Sequence, residues 1–185
     1  PSLRAIRKKF PKAHLTLLVG RDSFELVQEC PYLDDLIVYD PSRKDKRGTH
    51  RLRLASDLRR LGFDRVVDIQ NNKTSQLLSY LSLAPKRYGF DRGPFRRLVN
   101  FKIKDPGAMP PVAHQEKLLS LLDIQEIDQT LELWTGPKDE EAVDRLLQEE
   151  WLSGSEALVG INLGGSPRWE TKRWPVSYIA ELCDR

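Results

Sequence analysis

Gly164 and Gly165 close a short apolar run, "VGINLGG", and Ser166 opens the stretch that follows, "SPRWETKRWP". Two glycines at the end of a strand allow a tight turn and let a ligand approach backbone N–H groups. Ser166 and Thr171 would add hydroxyl donors, Lys172 a mobile positive charge, and the next helix its free N–H groups. That is the chemistry of holding a phosphate. The text matches neither G-x-G-x-x-G nor G-x-x-x-x-G-K-[ST], so the local pattern alone reads first as a plain strand–turn–helix corner. Trp174 precedes a helix-starting proline and is expected to pack that helix onto a sheet, whereas Trp169 sits in the loop and is able to stack on a base or sugar.

A second constellation is "VVDIQNNKTS". Asp68 and Gln70 stand at a strand end, and Lys73 and Ser75 open a helix. A carboxylate there either orients a substrate hydroxyl and accepts its proton or simply caps a turn. Basic residues concentrate twice: "RKDKRGTHRLR" (43–53), and the stretch 86–104, which holds Arg92, Arg96, Arg97 and four further cations against Asp91 alone. Such runs are solvated loops or an anion-binding surface. No nucleic-acid partner is expected, because no aromatic–basic or zinc-finger spacing accompanies the charge. His14, His50 and His114 have no ligand spacing, so no metal site is expected, and no redox or prosthetic cofactor is implied.

These groups need elements to position them. Helix-period and strand-type segments alternate: helix 1–10, strand 13–20, helix 21–30, strand 33–40, helix 53–62, strand 63–70, helix 74–83, short strand 85–90, long loop 91–112, helix 113–124, strand 130–136, helix 138–151, strand 157–165 and helix 175–185. Alternation of this kind gives βαβ units and a mostly parallel sheet with helices on both faces. Ligands of such sheets bind beyond the carboxyl ends of the strands, where Gln70–Ser75, Asp91–Asn100 and Gly164–Lys172 all fall. The small-residue turn "WLSGSE" suggests a domain boundary there, with a first domain over 1–155 and a second starting at 156.

Composition sets the outer limits. The chain has 39% hydrophobic and 31% charged residues, a net charge of +3, and no apolar run long enough to span a bilayer. Cys30 and Cys183 match no metal or redox spacing and are expected as core filler in a reducing, cytoplasmic setting. The sequence opens on Pro1, closes without a helix stop signal, and reads as a fragment cut inside secondary structure.

Five segments in order carry a family resemblance: "PSLRAIRKKFPKAHLTLLVG", "CPYLDDLIVYD", "FDRVVDIQNNKTSQLLSYLSLAPKRYGFDR", "AHQEKLLSLLDI" and "VGINLGGSPRWETKRWPVSYIAEL". Together they resemble the ADP-heptose:lipopolysaccharide heptosyltransferases, glycosyltransferase family 9. The resemblance implies a GT-B fold, two Rossmann-like halves facing across a cleft. Residues 1–155 would be the acceptor-side half without its first strand, and 156–185 the start of the donor half. It further implies transfer of a heptose from the nucleotide sugar ADP-heptose to a hydroxyl of the lipopolysaccharide inner core, with inversion and no essential metal.

By position in the resemblance, Gly164, Gly165, Ser166, Thr171 and Lys172 meet the donor diphosphate. Gln70, Lys73, Arg92, Arg96 and Arg97 meet the anionic acceptor. The family's Gly-Asp motif, whose Asp is the expected base, would precede Pro1, so the 185-residue chain by itself is expected to be inactive. The protein would work on the cytoplasmic face, peripheral to the inner membrane. Two other classes fit the same architecture: a non-catalytic Rossmann-like module binding an anionic glycan or nucleotide, and a sugar-nucleotide epimerase.

Overall fold

The computed structural model describes residues 1–40, 49–149, 159–162 and 173–184, with the side chains of 49 and 50 excepted. The chain divides into two compact units, Pro1–Gly136 and Pro137–Arg185.

The first unit is mixed α/β with parallel pairing throughout. Helix α1 (Ser2–Lys9) leads into strand β1 (Thr16–Gly20), which pairs in parallel with β2 (Asp35–Tyr39), Thr16 opposite Asp35. Helix α2 (Thr49–Leu61) ends at Gly62, whose φ of +65° supplies the left-handed residue that closes a helix. Strands β3 (Arg65–Val67), β4 (Lys86–Phe90) and β5 (Phe101–Ile103) form a second parallel sheet in the order β3-β4-β5. Helix α3 (Lys73–Leu81) links β3 to β4, and α4 (Pro111–Leu119) follows β5.

Two apolar clusters hold these layers. Leu54 and Leu58 of α2 and Leu78 of α3 pack with Leu18, Ile37, Tyr39 and Phe63. Tyr88, Leu119, Leu122, Ile124 and Ile127 form the other cluster, against which Ala5, Ile6 and Phe10 lay the apolar stripe of α1. Phe90 is buried at 1% exposure. Long polar contacts fasten α1 to the end of the unit. Arg4 donates to the carbonyls of Asp128 (3.0 Å) and Thr130 (3.1 Å) and pairs with Glu132, while Ser2 donates to Gln115.

Several sequence expectations differ from what is observed. Residues 21–30 form a 3-10 turn (Arg21–Ser23) and further turns in place of a helix. Phe24, Val27 and Cys30 recur every three residues, matching three residues per turn, and Leu26 points outward at 57% exposure. The loop 91–112 contains β5. Val99, Phe101 and Ile103 alternate with Asn100, Lys102 and Lys104, a period-two signal in a run only three residues long. The segment 130–136 carries no strand. Its alternation is inverted, because Glu132 is drawn in by Arg4 and Trp134 stacks edge-on with Tyr32, leaving Leu131 and Leu133 at 75% and 69% exposure. The cysteines divide: Cys30 is core, its thiol pushed up by burial, while Cys183 is exposed on the last turn of its helix.

In the second unit, α5 (Pro137–Glu149) places Asp139 and Glu140 in its first turn, where acids complement the helix dipole. Helix α6 (Val176–Cys183) starts after Pro175 and buries Ile179. Trp174 does not pack as expected; it is 55% exposed. Residues 159–162 carry no strand, and the remainder of the strand expected over 157–165 lies outside the described residues. Among the described residues no helix is long and apolar enough to cross a membrane.

Candidate anion-binding edge

Because β3, β4 and β5 run parallel, the segments leaving their carboxyl ends emerge on one edge. Asp68 follows β3 and donates its N–H to the Tyr88 carbonyl (2.8 Å); Asp91 follows β4 and donates its N–H to the Ile103 carbonyl (2.8 Å). The Gln70–Ser75 and Asp91–Asn100 loops therefore start side by side.

The first loop is built around the buried Asp68. Its Oδ1 accepts the Asn71 N–H (2.7 Å) and its Oδ2 accepts the Ser75 hydroxyl (2.9 Å). Asn71 sits in the left-handed region at φ +50°, which asparagine tolerates better than most residues. Asn72 caps α3, accepting the Thr74 and Ser75 N–H groups, while Ser75 Oγ accepts the Asn72 N–H in return, a reciprocal capping box. Of the two roles open to Asp68, turn capping is the one observed.

Burial pushes the Asp68 carboxyl above its usual 3.8, opposed by the bonds from Asn71, Ser75 and Gln70. A raised acid favours the protonated folded state. Its contribution is complete below the unfolded value and is lost as pH rises through the folded value. Asp68→Asn, neutral at every pH, removes that loss. The stability difference between variant and wild type should shift in the variant's favour between about pH 3.5 and about pH 7. Urea midpoints at both pH values check this, and a pH-independent difference contradicts it.

The second loop is fixed by charge. Arg92 donates to Asp105 Oδ2 (2.8 Å), whose Oδ1 accepts the Gly107 N–H (2.9 Å) and lies 3.2 Å from His114 Nε2. These contacts, the Gly107 N–H first, hold the Asp105 carboxyl down at about 2. His114 in turn lies 4.2 Å, ring centre to ring centre, from Phe90. Asp91 is shared by Lys102 (3.2 Å) and Arg96 (3.7 Å).

The acceptor-side residues singled out in the sequence thus occur on one edge. Gln70 and Lys73 are exposed on the first loop and at the head of α3; Arg92, Arg96 and Arg97 are exposed on the second. Lys73 Nζ lies 6.0 Å from the Phe95 ring centre, so its charge faces an aromatic side chain of the second loop. Beside it, Arg51, Lys73, Thr74, Leu77, Leu78 and Leu81 line a groove of about 200 Å³. The donor-side residues Gly164, Gly165, Ser166, Thr171 and Lys172 lie outside the described residues. Among the described residues, no three His, Cys, Asp or Glu side chains gather as a metal site.

Gln76 was not legible as part of this site. It is fully buried, and its amide joins both loops: Nε2 donates to Asn71 Oδ1 (3.1 Å) and to the Arg92 carbonyl (2.6 Å), and Oε1 accepts the Phe95 N–H (3.1 Å). The available signal was compositional. After Lys73, the polar residues of α3 and its cap are all uncharged, and Gln76, Ser79 and Ser82 recur every three residues on a buried face.

Comparison with known proteins gives this architecture a family. No curated protein sequence matches the chain. The crystal structure of the glycosyl transferase family 9 protein from Veillonella parvula DSM 2008 superposes with a TM-score of 0.86 at 20% identity, over 98% of this chain and 53% of that one. The structure of Escherichia coli ADP-heptose lipopolysaccharide heptosyltransferase II superposes with a TM-score of 0.67 at 21% identity, over 98% of this chain and 54% of that one. The chain therefore spans about half the length of the structures it matches, and it shares their GT-B-like, mixed α/β fold with parallel sheets. The sequence model of glycosyltransferase family 9 (heptosyltransferase) matches residues 51–185, nearly three quarters of the chain, which belongs to that family.

Proposed function

We propose that the intact protein containing this chain is an inverting glycosyltransferase. It moves a heptose or related sugar from ADP-heptose to a hydroxyl of an inner-core lipopolysaccharide acceptor. The observation that carries this reading is the family match over residues 51–185, which includes "GGSPRWETKRWP". The cationic edge fits the acceptor. Lys73, Arg92, Arg96 and Arg97 are exposed there, Arg92 paired with Asp105 and Arg96 with Asp91, while Asp68 is occupied by Asn71 and Ser75.

In this reading residues 1–155 form the acceptor domain and 156–185 begin the donor domain. Gly164 and Gly165 let the donor diphosphate approach the backbone, Ser166 and Thr171 donate hydroxyls to it, and Lys172 neutralises it. Gln70 and Lys73 with Arg92, Arg96 and Arg97 hold anionic groups of the acceptor. The attacking hydroxyl loses its proton to a base outside this chain, an aspartate of a Gly-Asp motif ahead of Pro1. The anomeric carbon exchanges its bond to the diphosphate oxygen for one to the acceptor oxygen, and ADP leaves. No metal is required, and the protein works at the cytoplasmic face of the inner membrane, drawn to anionic lipid by the arginines.

The test is direct. Intact protein with ADP-heptose and truncated inner-core lipopolysaccharide should yield acceptor heavier by one heptose and an equivalent of ADP. The isolated 185-residue chain should yield neither. Donor binding without turnover would favour a non-catalytic module, and conversion of donor without acceptor an epimerase.

A further inference from the structure

We infer that Gln76 is a positioning residue that locks the Gln70–Ser75 and Asp91–Asn100 loops into one rigid acceptor-binding surface; this rests on the glycosyltransferase reading above. The two loops belong to different connections, one from β3 to α3 and the other from β4 to β5. Neither contains a strand pairing to the other, and the exposed cations on both are long and flexible. A shared anionic ligand needs them at a fixed spacing. Gln76 supplies it from beneath: one buried amide spends both donors on one atom from each loop, Asn71 Oδ1 and the Arg92 carbonyl, and its acceptor on the Phe95 N–H.

The surroundings leave that amide little freedom. It is fully buried, so any lost bond leaves an unsatisfied polar group away from water. Gly93 closes over it. A Cβ at that position would lie 3.1 Å from Gln76 Oε1, and the Gly93 φ of +86° is already one that other residues resist. On the far side, Asn71 is fixed by Asp68, and Phe95 lies under the Lys73 ammonium. Displacing Gln76 therefore moves cation-bearing segments on both loops without removing any of the charges.

The experiment compares wild type, Gln76→Leu, Gln76→Glu and Gly93→Ala in the intact protein. The probes are ADP-heptose and truncated inner-core lipopolysaccharide. Gln76→Leu should raise the acceptor KM about tenfold, the scale of a misplaced positioning group, with the donor KM unchanged. Gln76→Glu sets a carboxylate against two carbonyl oxygens; its acceptor KM should be raised at neutral pH and recover toward wild type as acidification restores one donor. Gly93→Ala disturbs the clasp from an exposed loop, leaves the core intact and should reproduce the acceptor-KM defect.

A purely structural role would lower the amount of active enzyme and leave both KM values and their pH profile alone. That outcome, or a folded Gln76→Leu with wild-type acceptor KM, overturns the inference. Amide exchange at Phe95 reads the clasp without turnover. It should quicken about tenfold in Gln76→Leu, and unchanged exchange overturns the clasp even if wild type transfers no sugar. A wild-type protein without transfer, but with quickened Phe95 exchange in the variant, would instead sink the glycosyltransferase reading and leave the coupling of the loops standing.

Discussion

Lys172→Ala in the intact protein should lower sugar transfer at least about tenfold, roughly 1.4 kcal/mol of transition-state stabilisation. As the bond from the anomeric carbon to the donor phosphate breaks, negative charge builds on the departing diphosphate. In the proposed reading Lys172 lies beside that diphosphate, and a cation there stabilises the charged state more than the ground state. The loss should therefore appear in kcat as well as in donor KM, with the acceptor KM unchanged. Lys172→Arg should retain part of the rate, because it keeps the charge and changes the geometry. Steady-state kinetics with each substrate varied separately decide the matter. A Lys172→Ala enzyme within about twofold of wild type would overturn the donor-binding role proposed for the "GGSPRWETKRWP" run.

The second large effect is on stability. Phe90→Ala should cost about 3–5 kcal/mol, measured by urea denaturation. Phe90 ends the central strand β4 at 1% exposure and packs against the tilted His114 ring, so its loss opens a cavity between sheet and α4. The same cavity undercuts the His114–Asp105–Arg92 chain, so the variant's remaining folded protein should also bind acceptor more weakly. Leu133→Ala, at 69% exposure, should change stability by less than about 0.5 kcal/mol. The contrast matters because hydrophobicity alone would rank the two positions together.

Much of the α/β plan was legible because period and punctuation agree. Gly62 after α2 and Pro11 after α1 mark real ends. What misled were segments whose tertiary partners override their local pattern. "TLELWTG" alternates like a strand, yet Arg4 and Tyr32 claim its alternate side chains and no neighbouring strand claims its backbone. For the candidate edge, Lys73 and the three arginines stood out by charge and Gln70 by its place after a strand, and all five are exposed there; that they touch an acceptor is the proposal made above. Gln76 did not, since its three-residue spacing with Ser79 and Ser82 hints at a buried polar face but names no partner on either loop. Asp68 was visible as a residue but not as a role, because only the geometry shows both oxygens occupied.

The strand register bears on the order in which the fold assembles. Thr16 opposite Asp35, Arg65 opposite Lys86 and Tyr88 opposite Phe101 lie 19, 21 and 13 residues apart, so each strand pairing among the described residues closes a short loop. The contacts from α1 to the far end of the unit span 113 to 128 residues. Each doubling of a closed loop adds about 0.6 kcal/mol of entropy, so three doublings separate the two kinds by roughly 1.8 kcal/mol. Low contact order favours rapid, local formation of the βαβ units, with α1 docking afterwards. On that reckoning the polar strap from Ser2 and Arg4 is the last part of the first unit to close and the first to open, and the edge that carries Lys73 and Arg92 is already complete before it does.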